Sequence, residues 1–133
     1  NSDTAYWIEG VKPNLEHMID AWDASRMDAL LLVAETVKAI GYGGRGDFQM
    51  AKDGALSRRD ERGVTPFAYA GAALLNPKLF DDAPEGPFSM NRLFDKAIEQ
   101  GRLFGVQMEG VWLHIGTPEA IADAEYAVRE SAA

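Results

Sequence analysis

Cysteine is absent from this 133-residue chain. Its absence removes disulfide frameworks, thiolate metal sites and cysteine nucleophiles. Histidine is scarce, with two residues, so there is no metal-spaced histidine pair and no Ser-His-Asp order. No apolar run approaches the roughly 20 residues that span a bilayer. The N-terminus has neither a basic start nor an apolar core segment, so no secretory signal is legible. Cations are the minority charge: 13 Lys and Arg stand against 21 Asp and Glu, a net charge of −8. A surface this acidic repels nucleic-acid backbones and anionic membranes, and neither is expected as a partner. Together these absences fit a cytoplasmic protein.

What remains is enough for one folded domain. Hydrophobic residues make up 47% of the chain, which supports a core and argues against disorder. Positions 11–23 read as a helix. Pro13 suits its first turn, and Leu15, Met18, Ile19 and Trp22 recur at helical spacing. Asp28 to Val33 is a compact apolar run, the kind that forms a strand buried on both faces. The four glycines of 41–46 predict a loop, flexible and placed to cover a substrate. Asp47 to Met50 and Ala55 to Arg58 flank Asp53-Gly54, a hairpin signal. Pro66 to Leu75 reads as a strand with a small-residue centre, ended by Asn76-Pro77.

Beyond a polar loop at 81–87, Ser89 is expected to cap a helix through about Gln100. Leu93, Phe94, Ala97 and Ile98 form its buried face, and Gly101 ends it. Leu103 to Met108 and Val111 to Ile115 read as two strands joined by Glu109-Gly110. Thr117, Pro118 and Glu119 open a last helix. Its inner face carries Ala120, Ile121, Ala124, Ala127 and Val128. This order predicts an α/β domain with a mixed sheet. Asn1-Ser2-Asp3 reads as the mouth of a strand whose body lies outside the chain. A sheet short of a neighbour predicts association, either with a missing N-terminal part or as a homo-oligomer.

Each candidate for chemistry has a plainer alternative. A carboxylate just past a strand end, such as Asp3, is placed to hold Mg²⁺, but Asp equally often makes a local turn. His114 is either a hydrogen-bonded structural residue or a ligand, and Mg²⁺ prefers carboxylate to imidazole. Trp112 is core or a platform for a sugar. Arg58 and Arg59 suit a phosphate, or simply a solvated hairpin edge. Tyr69-Ala70-Gly71 marks close packing or a ligand against backbone. The 41–46 loop resembles a phosphate cradle in composition alone, since it lacks the Lys-Ser/Thr ending. His17 is expected on a solvated helix surface.

As an ordered set, several pieces resemble the second half of the sugar-nucleotide pyrophosphorylase family. They are Asn1-Ser2-Asp3, Gly46-Asp47-Phe48, Asp53-Gly54, Tyr69-Ala70-Gly71, Phe88-Ser89 and the run from Trp112 to Glu119, ending at Ala124-Glu125. The likeness is greatest to small members without a C-terminal β-helix, which act on N-acetylmuramate 1-phosphate or mannose 1-phosphate. The resemblance implies a Rossmann-like nucleotidyltransferase fold with a mixed central sheet, present as its C-terminal portion over residues 1–133. It also implies joining a nucleoside triphosphate to a sugar 1-phosphate with release of pyrophosphate. UTP with N-acetylmuramate 1-phosphate is the first expectation, and GTP with mannose 1-phosphate the second.

Residue by residue, the resemblance makes Asp3 the catalytic Mg²⁺ ligand. It assigns Gly46, Asp47, Gly71 and Trp112 to substrate, with Gly46 and Gly71 letting a sugar approach the backbone. Two departures stand out. His114 occupies the place of a second metal carboxylate in Trp-x-Asp-x-Gly, and is carried as a metal candidate. Arg58 and Arg59 stand nearest to the family's Glu-Lys pair for the sugar phosphate. The glycine-rich loop that holds the triphosphate is missing, so this chain is not expected to catalyse alone. The alternative is a non-catalytic binding or assembly module of the same fold, which the histidine at 114 favours.

Overall fold

The apolar run at 28–33 becomes the spine of the fold. In the computed structural model the described residues are 4–40, 42, 44–58, 63–81, 89–115, 126, 129 and 130. Strands run Thr4–Ile8 (β1), Ala29–Glu35 (β2), Phe48–Met50 (β3), Leu56–Arg58 (β4), Phe67–Leu75 (β5), Leu103–Gln107 (β6) and Val111–Ile115 (β7). Two α-helices are bounded within the described residues, Asn14–Ala21 (α1) and Met90–Glu99 (α2). A five-stranded sheet has the order β4-β3-β5-β2-β6, and β1 and β7 form a second, two-stranded sheet. β2 runs antiparallel to β5 and parallel to β6, so the main sheet is mixed as expected.

β2 divides the core. Its side chains alternate across the sheet with period two. Leu30, Leu32 and Ala34 join Met18, Phe104, Met108 and Trp112 on one face. Ala29, Leu31 and Val33 meet Phe48, Leu56, Leu93, Phe94 and Leu103 on the other. A strand sheathed on both sides needs a continuous apolar run, which this segment supplies. α2 closes the second cluster through Leu93, Phe94 and Ala97, with Ile98 partly buried. Ser89 Oγ accepts the Asn91 N–H at 3.2 Å, the expected cap. The hairpin forms as read, with Phe48 paired to Arg58 and the turn carried by Gly54 at φ +93°. Its tip curls back to β6, where the Gly105 N–H donates to the Gly54 carbonyl at 2.9 Å.

Two expectations change. First, positions 4–8 form a strand, whereas the sequence pattern places the strand body before Asn1. Thr-Ala-Tyr-Trp-Ile is rich in β-branched and aromatic residues, and it finds its partner in β7. The two strands read on either side of Glu109-Gly110 both form; β6 joins β2 and β7 joins β1. Second, α1 is shorter than 11–23 and is capped at Pro13 rather than containing it. Its buried residues are Asn14 and Met18, while Leu15 and Ile19 are exposed. The last-helix signal at Thr117-Pro118-Glu119 lies outside the described residues.

One ionic network is sequestered at the start of β2. Asp28 is wholly buried. Its Oδ1 accepts from Arg102 Nε at 2.8 Å and lies 3.1 Å from Lys78 Nζ. Arg102 also donates to the carbonyls of Ala24, Ser25 and Met27. The three segments that meet here are 24–28, the β5 exit and the entry to β6. The network therefore fixes the end of the sheet opposite the loops described next.

Candidate functional site

The β1–β7 ladder sets the position of the candidate metal end. Thr4 pairs with Ile115, Ala5 with His114 and Trp7 with Trp112. Partners in an antiparallel pair are about 5 Å apart between Cα atoms. Asp3 precedes this ladder in the chain and lies outside the described residues, as does the side chain of His114. Of the two sequence-predicted metal positions, the backbone of His114 is placed one pair from the end of this ladder, opposite Ala5. Among the described residues no group of three or more His, Asp or Glu converges on a point. A single carboxylate still suits Mg²⁺, which takes one or two carboxylates and fills its remaining positions with water and phosphate oxygens. Imidazole suits it less well.

Trp112 is buried in β7 and reaches the predicted glycine loop through one residue. The ring of Tyr42 lies 5.3 Å from that of Trp112, tilted by 45°. The Tyr42 hydroxyl accepts the Gly46 N–H at 3.1 Å. Before Tyr42, the Ile40 N–H donates to the Trp112 carbonyl at 2.9 Å. At the far end, Gly46 has φ +80°, and a Cβ there would sit 2.3 Å from the Thr65 carbonyl oxygen. The loop read as flexible is therefore braced on β7 and on the approach to β5. The close neighbour that demands a glycine at 46 is the protein's own backbone.

The other predicted substrate residues separate. Asp47 Oδ2 accepts the Tyr69 N–H at 2.9 Å, so that oxygen ties β3 to β5. Burial pushes the Tyr69 phenol pKa up, and its ring meets Phe94 edge-on at 5.3 Å. Arg58 is drawn to α2: Nε donates to Asp95 Oδ1 at 2.9 Å and its other arm donates to Asn91 Oδ1 at 3.0 Å. Its guanidinium also covers the Phe48 ring at 4.9 Å. Arg59 lies outside the described residues. Gly71 sits where β5 bulges, because Leu31 pairs with Ala73 but Val33 pairs with Tyr69. It has φ +103°, and among the described residues no atom beyond its chain neighbours lies within 4 Å of the point where a Cβ would project. Of the two glycines, this one borders open space.

The turn between β6 and β7 is held by a residue that carries no motif in the sequence. Asn14 is wholly buried. Its Oδ1 accepts the Glu109 N–H at 2.8 Å, and its Nδ2 donates to the Glu109 carbonyl at 2.9 Å. The same Nδ2 donates to Glu9 Oε1 at 3.0 Å, and the Asn14 N–H donates to Glu9 Oε2 at 2.8 Å. His17, expected to be solvated, places Nε2 3.0 Å from Glu109 Oε2. Asparagine just after Pro13, at a helix start, was the available signal; its partner 95 positions away was not.

A cleft of about 290 Å³ opens beside this turn, lined by Glu35, Lys38, Gln107, Met108, Glu109 and Trp112 among others. It lies at the carboxyl ends of the parallel pair β2 and β6, where α/β sheets place their ligands. Its charges are largely engaged: Lys38 Nζ lies 3.0 Å from Glu35 Oε2. That contact first, against an opposing effect of burial, holds the Glu35 carboxyl below its usual pKa. Trp112 lines the cleft at the start of β7. His114 stands two residues further along the strand, about 7 Å by its rise per residue.

No family model matches the chain. It is 34% identical over 125 residues to an N-acetylmuramate alpha-1-phosphate uridylyltransferase of Caulobacter vibrioides. That alignment covers 94% of this chain and 52% of the relative, so the chain spans about half the length of the protein it matches. Among solved structures it resembles one described as a putative glucose-1-phosphate thymidylyltransferase from Bacillus anthracis. The TM-score is 0.61 at 14% identity, over 95% of this chain and 52% of that one. At that identity the likeness speaks for the fold: an α/β nucleotidyltransferase architecture with a mixed sheet. In sequence and in fold, this chain is similar to about half of a sugar-1-phosphate nucleotidyltransferase.

Proposed function

We propose that the chain forms the sugar-side and metal-side portion of an enzyme that transfers a nucleotidyl group from a nucleoside triphosphate to a sugar 1-phosphate, releasing pyrophosphate. UTP with N-acetylmuramate 1-phosphate is the first choice of substrates, in line with the Caulobacter relative. GTP with mannose 1-phosphate is the second. The observation that carries the reading is the β1–β7 ladder, which pairs Ala5 with His114 and so sets the start of β1 beside the strand that carries Trp112 and His114.

The reaction is an in-line attack of a sugar-phosphate oxygen on the nucleotide α-phosphorus. The P–O bond to pyrophosphate breaks as the new one forms. Such a step depends on positioning and on neutralising charge. Mg²⁺, when bound, supplies positive charge to the phosphate oxygens. Asp3 would hold it, with His114 as the second candidate. Gly71 offers bare backbone beside open space for a sugar, and Trp112 anchors the strand between metal end and cleft. Arg59 is the remaining candidate of the arginine pair for the sugar phosphate, since Arg58 is held by Asp95 and Asn91.

The test is a pyrophosphate-release assay on the intact protein. UTP, GTP and dTTP are each offered with N-acetylmuramate 1-phosphate, mannose 1-phosphate and glucose 1-phosphate. Release with UTP and N-acetylmuramate 1-phosphate is expected. Release with none of the pairs removes the enzyme reading in favour of a non-catalytic module of the same fold.

A further inference from the structure

We propose that Tyr42 is a positioning residue for the sugar phosphate, holding the 44–46 segment in register with the Trp112 strand. The inference rests on the nucleotidyl-transfer reading and deepens it. Tyr42 makes two unlike contacts at once: its ring lies against Trp112, and its hydroxyl accepts the Gly46 N–H. The fit is tight, because a Cβ on Gly44 would come 2.4 Å from the Tyr42 hydroxyl oxygen. Gly44 therefore has to be bare for the ring to lie across it. Gly46 is in turn pinned against Thr65, where the Thr65 N–H donates to the Arg45 carbonyl at 2.8 Å.

The physical consequence is a connected path. β7 carries Trp112, Trp112 carries the Tyr42 ring, and Tyr42 carries the Gly46 amide. Gly46 leads directly to Asp47, whose carboxylate grips the β5 backbone at Tyr69, two residues before the open glycine at 71. Without the phenolic oxygen, the 44–46 segment keeps the Thr65 N–H to Arg45 carbonyl bond but loses the tie from the Gly46 amide to the Tyr42 ring. A loosened loop weakens ground-state capture of the sugar phosphate. It leaves the in-line step, set at the metal end of the ladder, little changed.

The experiment compares wild type, Tyr42→Phe and Tyr42→Leu in the intact protein. Removing the hydroxyl alone forfeits one net hydrogen bond, so KM for the sugar phosphate should rise on the order of threefold to tenfold. The values of kcat and KM for the nucleotide should stay within about twofold by the same reasoning, since those groups bind elsewhere. Tyr42→Leu, which also removes the ring from Trp112, should raise KM further. Amide hydrogen exchange gives a readout independent of turnover: the Gly46 N–H should exchange faster in Tyr42→Phe, with β2 amides unchanged. Faster exchange with unchanged KM overturns the positioning role while leaving the nucleotidyl-transfer reading intact. Unchanged exchange overturns the tie itself. No pyrophosphate release from wild type overturns the functional reading on which the inference stands.

Discussion

Replacing Arg102 by methionine tests the buried network that anchors the central strand. Met keeps most of the side-chain volume and removes the cation. Asp28 is then left wholly buried with Lys78 as its remaining cationic partner, and Oδ2 already has no hydrogen-bond partner among the described residues. Breaking a buried pair by removing one member costs about 3–5 kcal/mol. Lys78 remains, so the low end, about 3 kcal/mol, is expected. The carbonyls of Ala24 and Ser25 that lose their donor are near solvent and should add little. An unfolding entropy of about 2.1 cal/mol/K per residue gives roughly 0.28 kcal/mol/K for this chain. The midpoint should therefore fall by about 10 °C.

The same variant has a pH signature. Burial raises the Asp28 pKa, but the Arg102 and Lys78 hydrogen bonds outweigh it, so the folded value lies below the ordinary one. A depressed carboxyl stabilises the fold above its unfolded pKa of about 3.9, and that contribution is lost as pH falls through the folded value. In Arg102→Met the depressing contact is gone while burial stays, so protonation relieves the variant. The gap in melting temperature between wild type and variant should be widest near neutrality and should narrow as pH drops below about 4. Thermal denaturation followed by circular dichroism at neutral and acidic pH reads both effects. A loss under about 3 °C near neutral pH, or a gap that widens on acidification, would refute the reasoning.

Other outcomes follow from single contacts. Asn14→Asp replaces the donor to the Glu109 carbonyl with a charged acceptor facing Glu9. It should cost about 2–3 kcal/mol by urea denaturation, and an unchanged midpoint would show the clamp to be idle. Gly46→Ala drives a methyl into the Thr65 carbonyl at positive φ, whereas Gly71→Ala meets the φ penalty alone. The first should destabilise by more than about 2 kcal/mol and the second by about 1, so the reverse order would contradict the packing described. Asp3→Ala should abolish pyrophosphate release with the melting temperature unchanged, and surviving activity would remove Asp3 from the metal site. His114→Asp should increase Mg²⁺-dependent turnover if the position is a decayed carboxylate; loss of turnover assigns the work to the imidazole.

Much of the local architecture was legible from residues alone. The run at 28–33 announced a strand buried on both faces, because a parallel–antiparallel centre strand has no polar side to show. Ser89 with Leu93, Phe94 and Ala97 announced α2 through a cap and one apolar stripe. Asp53-Gly54 announced the hairpin through the one residue that accepts φ +93°. The stripe on α1 misled, because helical spacing marks a face without saying how much of it is covered. Leu15 and Ile19 are exposed, and the polar Asn14 is buried.

Chain order and side-chain pattern by themselves determined the α/β class, the strand and helix segments around the core, and the motif set that resembles the nucleotidyltransferases. Tertiary structure alone decided that β7 pairs with β1 rather than β6, that Asn14 clasps Glu109, that Arg58 turns to Asp95, and that Tyr42 spans Trp112 and Gly46. The reason is one of range. Periodicity, caps and turns reflect backbone sterics and burial within a few residues. The pairing of segments far apart in the chain depends on which surfaces the whole fold leaves free to meet.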